Sequence, residues 1–182
     1  RFVADTLSGP KPIGFEVDED GLLTQATVDM GRPVLDPASV PVAAAPNAES
    51  MRGAPFVREL PIRSPWGPFA FTCVSMGNPH AVCFIDDFSA VGDELFSDPA
   101  DKGLGTFDVA RAGAFFESHE LFPENANVEF AVVGPRSISM RVYERGCGET
   151  MACGTGACAV SVAAALTGRA GRENDVDLLG GT

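Results

Sequence analysis

Residues 154–167 read Gly-Thr-Gly-Ala-Cys-Ala-Val-Ser-Val-Ala-Ala-Ala-Leu-Thr, without a single charge. The composition reads as a helix, and Gly168 stands where a glycine commonly ends one. A surface helix keeps a polar stripe, but this segment has almost none, so burial on all sides is expected. Such a helix needs strands around it. The expected class is α+β, with a curved mixed or antiparallel sheet enclosing a central helix.

The flanking sequence reads as those strands. Residues 12–17 make a short one, and 22–30 a second with Ala26, Val28 and Met30 on one side. Residues 56–62 and 68–76 are separated by Ser64-Pro65-Trp66-Gly67, and 81–85 form an apolar run ended by Asp86-Asp87. Residues 128–133 and 137–143 flank Gly134-Pro135, a turn signal, and 176–179 begin a further strand. Helical character appears at 107–117, with Val109, Ala110, Gly113, Ala114 and Phe116 available to one face. Residues 1–7 read as the last turns of a helix ended by Ser8-Gly9-Pro10. Two segments read as irregular: 32–55, with five prolines, as a surface excursion, and 88–105, acidic and glycine-containing, as loop.

Charge narrows the partners. Thirteen Lys and Arg against 25 Asp and Glu give a formal charge of −12, which repels phosphate backbones and anionic lipid surfaces. Nucleic acid and membrane are therefore not expected as partners, and no apolar run approaches the roughly 18 residues of a span. A cytoplasmic location is the default expectation. The five cysteines, Cys73, Cys83, Cys147, Cys153 and Cys158, form no CxxC pair, and only His80 and His119 could join them on a metal. No metal site is expected, and reduced thiols are the simplest reading. Both ends of the sequence read as the interior of elements, so the native chain is expected to continue beyond them.

The chemistry concentrates at 143–159. A strand ends in Glu144-Arg145, a glycine-spaced loop follows, and Cys153 opens the apolar helix. The first amides of a helix lack internal partners and carry partial positive charge, so they hold carboxylates. The same field is expected to lower the Cys153 thiol from the usual value of about 8.5. A reactive thiol beside a carboxylate clamp points to chemistry close to the carboxyl group of an acid. Against this stands the ordinary role of a small buried hydrophobe at a tight strand-to-helix turn. Arg145 has its own case, since a planar fork matches a carboxylate in two hydrogen bonds.

Glu144-Arg145-Gly146-x-Gly148-Glu149-Thr150-x-Ala152-Cys153-Gly154-Thr155-Gly156 resembles the second active-site signature of diaminopimelate epimerases. Gly77-Asn78-Pro79-His80-Ala81-Val82 and Asn127-Val128-Glu129-Phe130 resemble two further segments of that family, in the same order. The resemblance implies two pseudo-symmetric lobes, each a sheet wrapped around a central helix, with the first lobe incomplete: 1–75 would be its remainder and 76–182 the second lobe. It implies cofactor-independent inversion of LL-diaminopimelate to the meso isomer, with the small-molecule substrate as partner and a homodimer left open. By resemblance Cys153 is one of two acid/base cysteines. Gly154 and Thr155 would offer amides to the α-carboxylate, and Glu144 would contact the substrate amino group and tune Cys153. Asn78, Asn127 and Arg145 would hold the distal end, and His80 would lie near the partner cysteine. The family's other cysteine belongs to a Cys-Gly-Asn-Gly-x-Arg motif absent here, expected just before Arg1. Cys73, Cys83, Cys147, Cys158 and His119 are assigned to structure.

Three rival readings stay open. A proline racemase-like isomerase would share the Cys-Gly-Thr-Gly helix start. A hydrolase using Cys153 and His80 would form an acyl-enzyme. A non-catalytic remnant would keep only the carboxylate clamp.

Overall fold

The computed structural model describes residues 2–6 and 9–182. The chain divides into two compact units, Arg1–Arg32 and Pro33–Thr182. The division falls well before the expected 75/76 boundary. That boundary would cut between two strands joined in a tight hairpin, where Ser75 pairs Pro79 and Val74 pairs His80.

The first unit is a three-stranded antiparallel sheet of β1 (Phe2–Ala4), β2 (Lys11–Val17) and β3 (Leu23–Val28). Residues 2–4 were expected in a helix and are a strand, because they pair with β2 from Phe2↔Ile13 to Ala4↔Lys11. Arg1, Leu7 and Ser8 lie outside the described residues. All of β3 is exposed, so the alternation read at Ala26 and Val28 buries neither face here.

The second unit is built on a seven-stranded mixed sheet. Its strands are β6 (Leu60–Ser64), β7 (Gly67–Ser75), β8 (Pro79–Phe84), β9 (Asn127–Val133), β10 (Ser137–Glu144) and β11 (Gly148–Thr150), with β12 (Asp175–Asp177) also on β10. Pairing is antiparallel except for β8 with β9 and β10 with β12. A parallel pair needs a crossover, and residues 85–126 provide it, carrying α1 (Val109–Glu117). The Asp108 side chain caps α1 by accepting from Arg111 N. The second helix, α2 (Gly154–Thr167), ends at Gly168, whose φ of 75° lets its N–H reach back to the Ala164 and Ala165 carbonyls. The architecture is α+β, with a mixed sheet and a central helix.

Side chains alternate between the faces of a strand, and register fixes which neighbours share a face. One face receives Phe69 and Phe71 of β7, Ala81 and Cys83 of β8, and Val128 and Phe130 of β9. Together with Phe107, Phe116 and Phe122 they make an aromatic core under α1. Phe71 and Phe116 lie 4.8 Å apart and Phe107 and Phe130 4.9 Å. Gly113 allows α1 to close on β10, since a Cβ there would collide with the Tyr143 side chain. The other face receives Thr72 and Val74, His80 and Val82, Asn127 and Glu129, and Met140, Val142 and Glu144. This face packs against α2.

Three irregular features differ from expectation. Within 32–55, Val40 and Val42 are buried in the aromatic core, and β4 (Ala48–Glu49) pairs with β5 (Pro55–Phe56). Residues 88–105 contain two short 3-10 turns, and Val91, Leu95 and Phe96 are buried. Arg141 holds the segment that follows these turns, donating to the carbonyls of Leu104 and Phe107 at 2.8 and 2.6 Å while pairing with Glu149. The helix α2, expected to be buried on all sides, is buried along one stripe, Gly156, Ala159, Val160, Ala163 and Ala164. Its opposite stripe, including Cys158, Ser161, Val162 and Leu166, is half-buried, because this sheet covers one side of the helix.

Candidate active site

Cys153 occupies the N-cap of α2, with φ −142° and ψ 104°. Ser, Thr, Asp and Asn are the usual caps, and here a sulfur takes their place: Gly156 N donates to Cys153 Sγ at 3.3 Å. Thr155 Oγ1 lies 3.4 Å from the same sulfur. The intrahelical bonds begin with Ala157 N to Cys153 O at 2.9 Å, so the Gly154 and Thr155 amides lie ahead of the first helical bond. The site opens at Gly154, which is exposed, while Cys153 is buried.

The sheet brings three polar residues beneath this helix start. His80 and Asn127 are direct partners across the parallel β8–β9 pair, and Glu129 is two residues further on the same face. All three are buried, Glu129 completely. His80 Nδ1 lies 2.6 Å from Glu129 Oε1, and His80 Nε2 lies 3.1 Å from Asn78 Oδ1. Asn78 Nδ2 in turn donates to Thr155 Oγ1 at 3.4 Å. Glu144 accepts from Thr150 Oγ1 at 2.5 Å. The helix can approach this row because residue 156 is glycine. A Cβ there would stand 3.0 Å from Glu129 Oε1 and 3.2 Å from Cys153 Sγ.

The electrostatics reverse one expectation. The Cys153 thiol is pushed up, not down. Burial is the main cause, and the carboxylates of Glu129 and Glu144 add to it, while the hydrogen bonds from Thr155 and Gly156 oppose it. The sequence shows the helix end but not the depth of the sulfur or the acids behind it. Glu129 is likewise raised, chiefly by burial, with His80 opposing and Glu144 adding to the shift. The thiol is therefore the resting form, suited to give a proton.

Not every residue named from the sequence converges on the sulfur. Cys153, Thr155, Asn78 and His80 form one hydrogen-bonded line, and Glu144 faces it. Asn127 is a backbone clamp: its Nδ2 donates to Pro79 O at 2.9 Å and its Oδ1 accepts from Arg145 N at 3.0 Å. Arg145 lies in the turn just past β10, and its guanidinium donates to Glu124 O at 3.0 Å. Glu129, the acid of the Asn127-Val128-Glu129-Phe130 segment, joins the site as a residue the sequence reading does not assign. Its signal was available: a lone acid in the apolar strand Asn-Val-Glu-Phe-Ala-Val-Val must face water or be paired when buried. Among the described residues, no group of three or more His, Cys, Asp or Glu side chains is placed to hold a metal ion. No helix among them is long and apolar enough to cross a membrane.

Fold and site together define a class of α+β protein, one that presents a thiol at the N-terminus of a central helix over buried acids. The sequence comparisons narrow that class. The diaminopimelate epimerase family model matches residues 72–182. The chain is 43% identical over 165 residues to the diaminopimelate epimerase of Desulfovibrio desulfuricans, covering 90% of this chain and 51% of that protein. It is 40% identical over 178 residues to that of Acetivibrio thermocellus, with 97% and 55% covered, and 41% identical over 183 residues to that of Bacillus cereus, with 99% and 55% covered. This chain belongs to the diaminopimelate epimerase family, and it spans about half the length of the curated relatives it matches.

Proposed function

We propose that this chain carries one half of the acid–base machinery of a cofactor-independent amino-acid epimerase, acting on diaminopimelate. Cys153 is the group that exchanges a proton with the α-carbon. The observation that carries the reading is a buried sulfur at the N-cap of α2, beside two helix-start amides that lie ahead of the first helical bond. Those of Gly154 and Thr155 can take a carboxylate, which sets the α-carbon next to the sulfur.

The chemistry follows from that placement. A base on the far face of the substrate removes the α-proton, and the Cys153 S–H delivers its proton to the near face. One C–H bond breaks and one forms, and the sulfur is left as thiolate, met by the Gly156 N–H and the Thr155 hydroxyl. In the opposite direction the roles exchange. Oriented amides on the carboxylate lower the energy of the carbanion-like state where it forms. Glu144, which accepts from the Thr150 hydroxyl, receives the substrate ammonium in this reading. Asn127 and Arg145 act by shaping the loop after β10, rather than by touching substrate in this conformation. The second thiol comes from outside Arg1–Thr182: Cys73 and Cys83 point to the aromatic face, Cys147 lies exposed in the tight turn between β10 and β11 rather than at a helix start, and Cys158 lies in α2 a turn beyond Cys153. With it comes the first lobe of a two-lobed protein, to which Pro33–Thr182 contributes the larger part of the second.

The test is α-hydrogen exchange. Full-length protein in deuterated water incorporates deuterium into LL-diaminopimelate, and Cys153→Ala lowers the rate by about 10²–10⁴-fold. Incorporation by Cys153→Ala at the native rate, or turnover of proline with diaminopimelate ignored, sinks the reading.

A further inference from the structure

The buried Glu129–His80 pair has no part in that chemistry. Glu129 Oε2 is buried without a hydrogen-bond partner. A fully buried carboxyl with one oxygen unpartnered is costly unless it does something for its surroundings. Four contacts tie it to the sulfur. Glu129 Oε1 meets His80 Nδ1 at 2.6 Å, His80 Nε2 meets Asn78 Oδ1 at 3.1 Å, Asn78 Nδ2 meets Thr155 Oγ1 at 3.4 Å, and Thr155 Oγ1 meets Cys153 Sγ at 3.4 Å.

Donor and acceptor chemistry gives this line a direction. An amide oxygen only accepts, so His80 Nε2 must carry a hydrogen to bond Asn78 Oδ1. The Asn78 amide nitrogen only donates, so Thr155 Oγ1 accepts from it and keeps its own hydrogen for Cys153 Sγ. At the other end, Nδ1 and Oε1 share one proton. The pair is then either imidazolium with carboxylate or imidazole with carboxylic acid, and in both forms Nε2 keeps its hydrogen. Had Nδ1 held the only ring proton, Nε2 would accept. The Asn78 amide would then turn over, and Thr155 would donate to Asn78 instead of to the sulfur.

We propose that Glu129 is a positioning residue of the site: the proton it shares with His80 sets the donor direction of the chain, so that its last hydrogen points at Cys153 Sγ. That hydrogen favours the thiolate formed during proton transfer. The charged or titratable groups facing the sulfur are His80 from β8, Glu129 from β9 and Glu144 from β10; β7 contributes Thr72 and Val74, and the first turn of α2 no acid. The inference rests on Cys153 being the reacting thiol, but its test needs no substrate turnover.

The experiment is peptide-resolved alkylation of Cys153 by iodoacetamide across pH in the full-length protein. Both Glu129→Leu and Glu129→Gln remove a carboxylate that disfavours the thiolate, so they are compared with each other: Glu129→Leu, of similar volume, leaves the direction unset and is alkylated at neutral pH about three- to tenfold more slowly than Glu129→Gln, the size of one hydrogen bond. Glu129→Gln still donates an amide N–H to Nδ1, so in it the donor direction of the chain survives. A Gln variant alkylated as slowly as the Leu variant overturns the proposal. Nitrogen-15 spectra of the His80 ring in unmutated protein test it independently of folding in any variant: a protonated Nε2 is expected, and a bare Nε2 overturns it.

Discussion

The two faces of the seven-stranded sheet are built from the same strands and differ in almost everything else. Under α1, alternate residues are Phe69, Phe71, Phe130 and their neighbours, a dry aromatic cluster. Under the start of α2, the intervening residues of β8, β9 and β10 are His80, Asn127, Glu129 and Glu144. The first face is held by apolar burial, at about 25 cal/mol per Å². The second gives up that stabilisation locally and keeps buried polar groups in register. One face is the foundation, and the other carries the sulfur proposed to react, so mutations on the two should separate stability from chemistry.

The largest effect is expected at the sulfur. Cys153→Ala lowers α-hydrogen exchange by about 10²–10⁴-fold, the range of a lost general acid or base. It costs folding stability no more than about 1 kcal/mol, that of a lost cap. Exchange kinetics beside thermal melts check both, and a large loss of Tm with residual exchange would blur the contrast. On the other face, Phe116→Ala leaves a cavity among Phe69, Phe71, Phe115 and Phe130. It destabilises by about 3–5 kcal/mol, read in urea unfolding, while the Cys153 alkylation profile of the folded fraction stays native.

A smaller effect tests the meeting point of helix and acid. Gly156→Ala inserts a methyl between Glu129 Oε1 and Cys153 Sγ, so one of them moves by a few tenths of an ångström. Exchange falls by about tenfold, since catalysis loses up to about 10²-fold per ångström of misplacement. Stability changes little, because alanine is the better helix former.

The smallest expected effect separates the thiols by face. Burial raises Cys73 from the ordinary 9.0 to about 12 and does the same to Cys83. A folded-state value above the unfolded one means stability that is complete below pH 9.0 and lost as pH rises toward about 12. Cys73→Ala therefore flattens the alkaline limb of the stability profile in that window. In native protein at neutral pH, the exposed Cys147 is alkylated first, Cys153 more slowly, and Cys73 and Cys83 last. Early reaction of Cys73 would show that the aromatic face is open.

Local chemistry alone determined much of this protein. The start of α2 at Cys153, its end at Gly168, the hairpin about Pro65 and Trp66, and the turn at Gly134 follow from neighbours in the chain, and so they could be read from it. The helical reading of residues 2–4 failed because a partner strand, not propensity, decides a short apolar segment. The same limit hid the burial of Val40 and Val42 and the half-covered side of α2.

What only the tertiary structure decided is the environment of the sulfur. His80 and Glu129 stand 49 positions apart and meet at 2.6 Å because β8 and β9 pair in parallel across the α1 crossover. The sequence placed a thiol at a helix end, where the field favours the charged form. The fold sank it beside two carboxylates and reversed the balance, because desolvation depends on what surrounds a group, which no neighbour in the chain specifies.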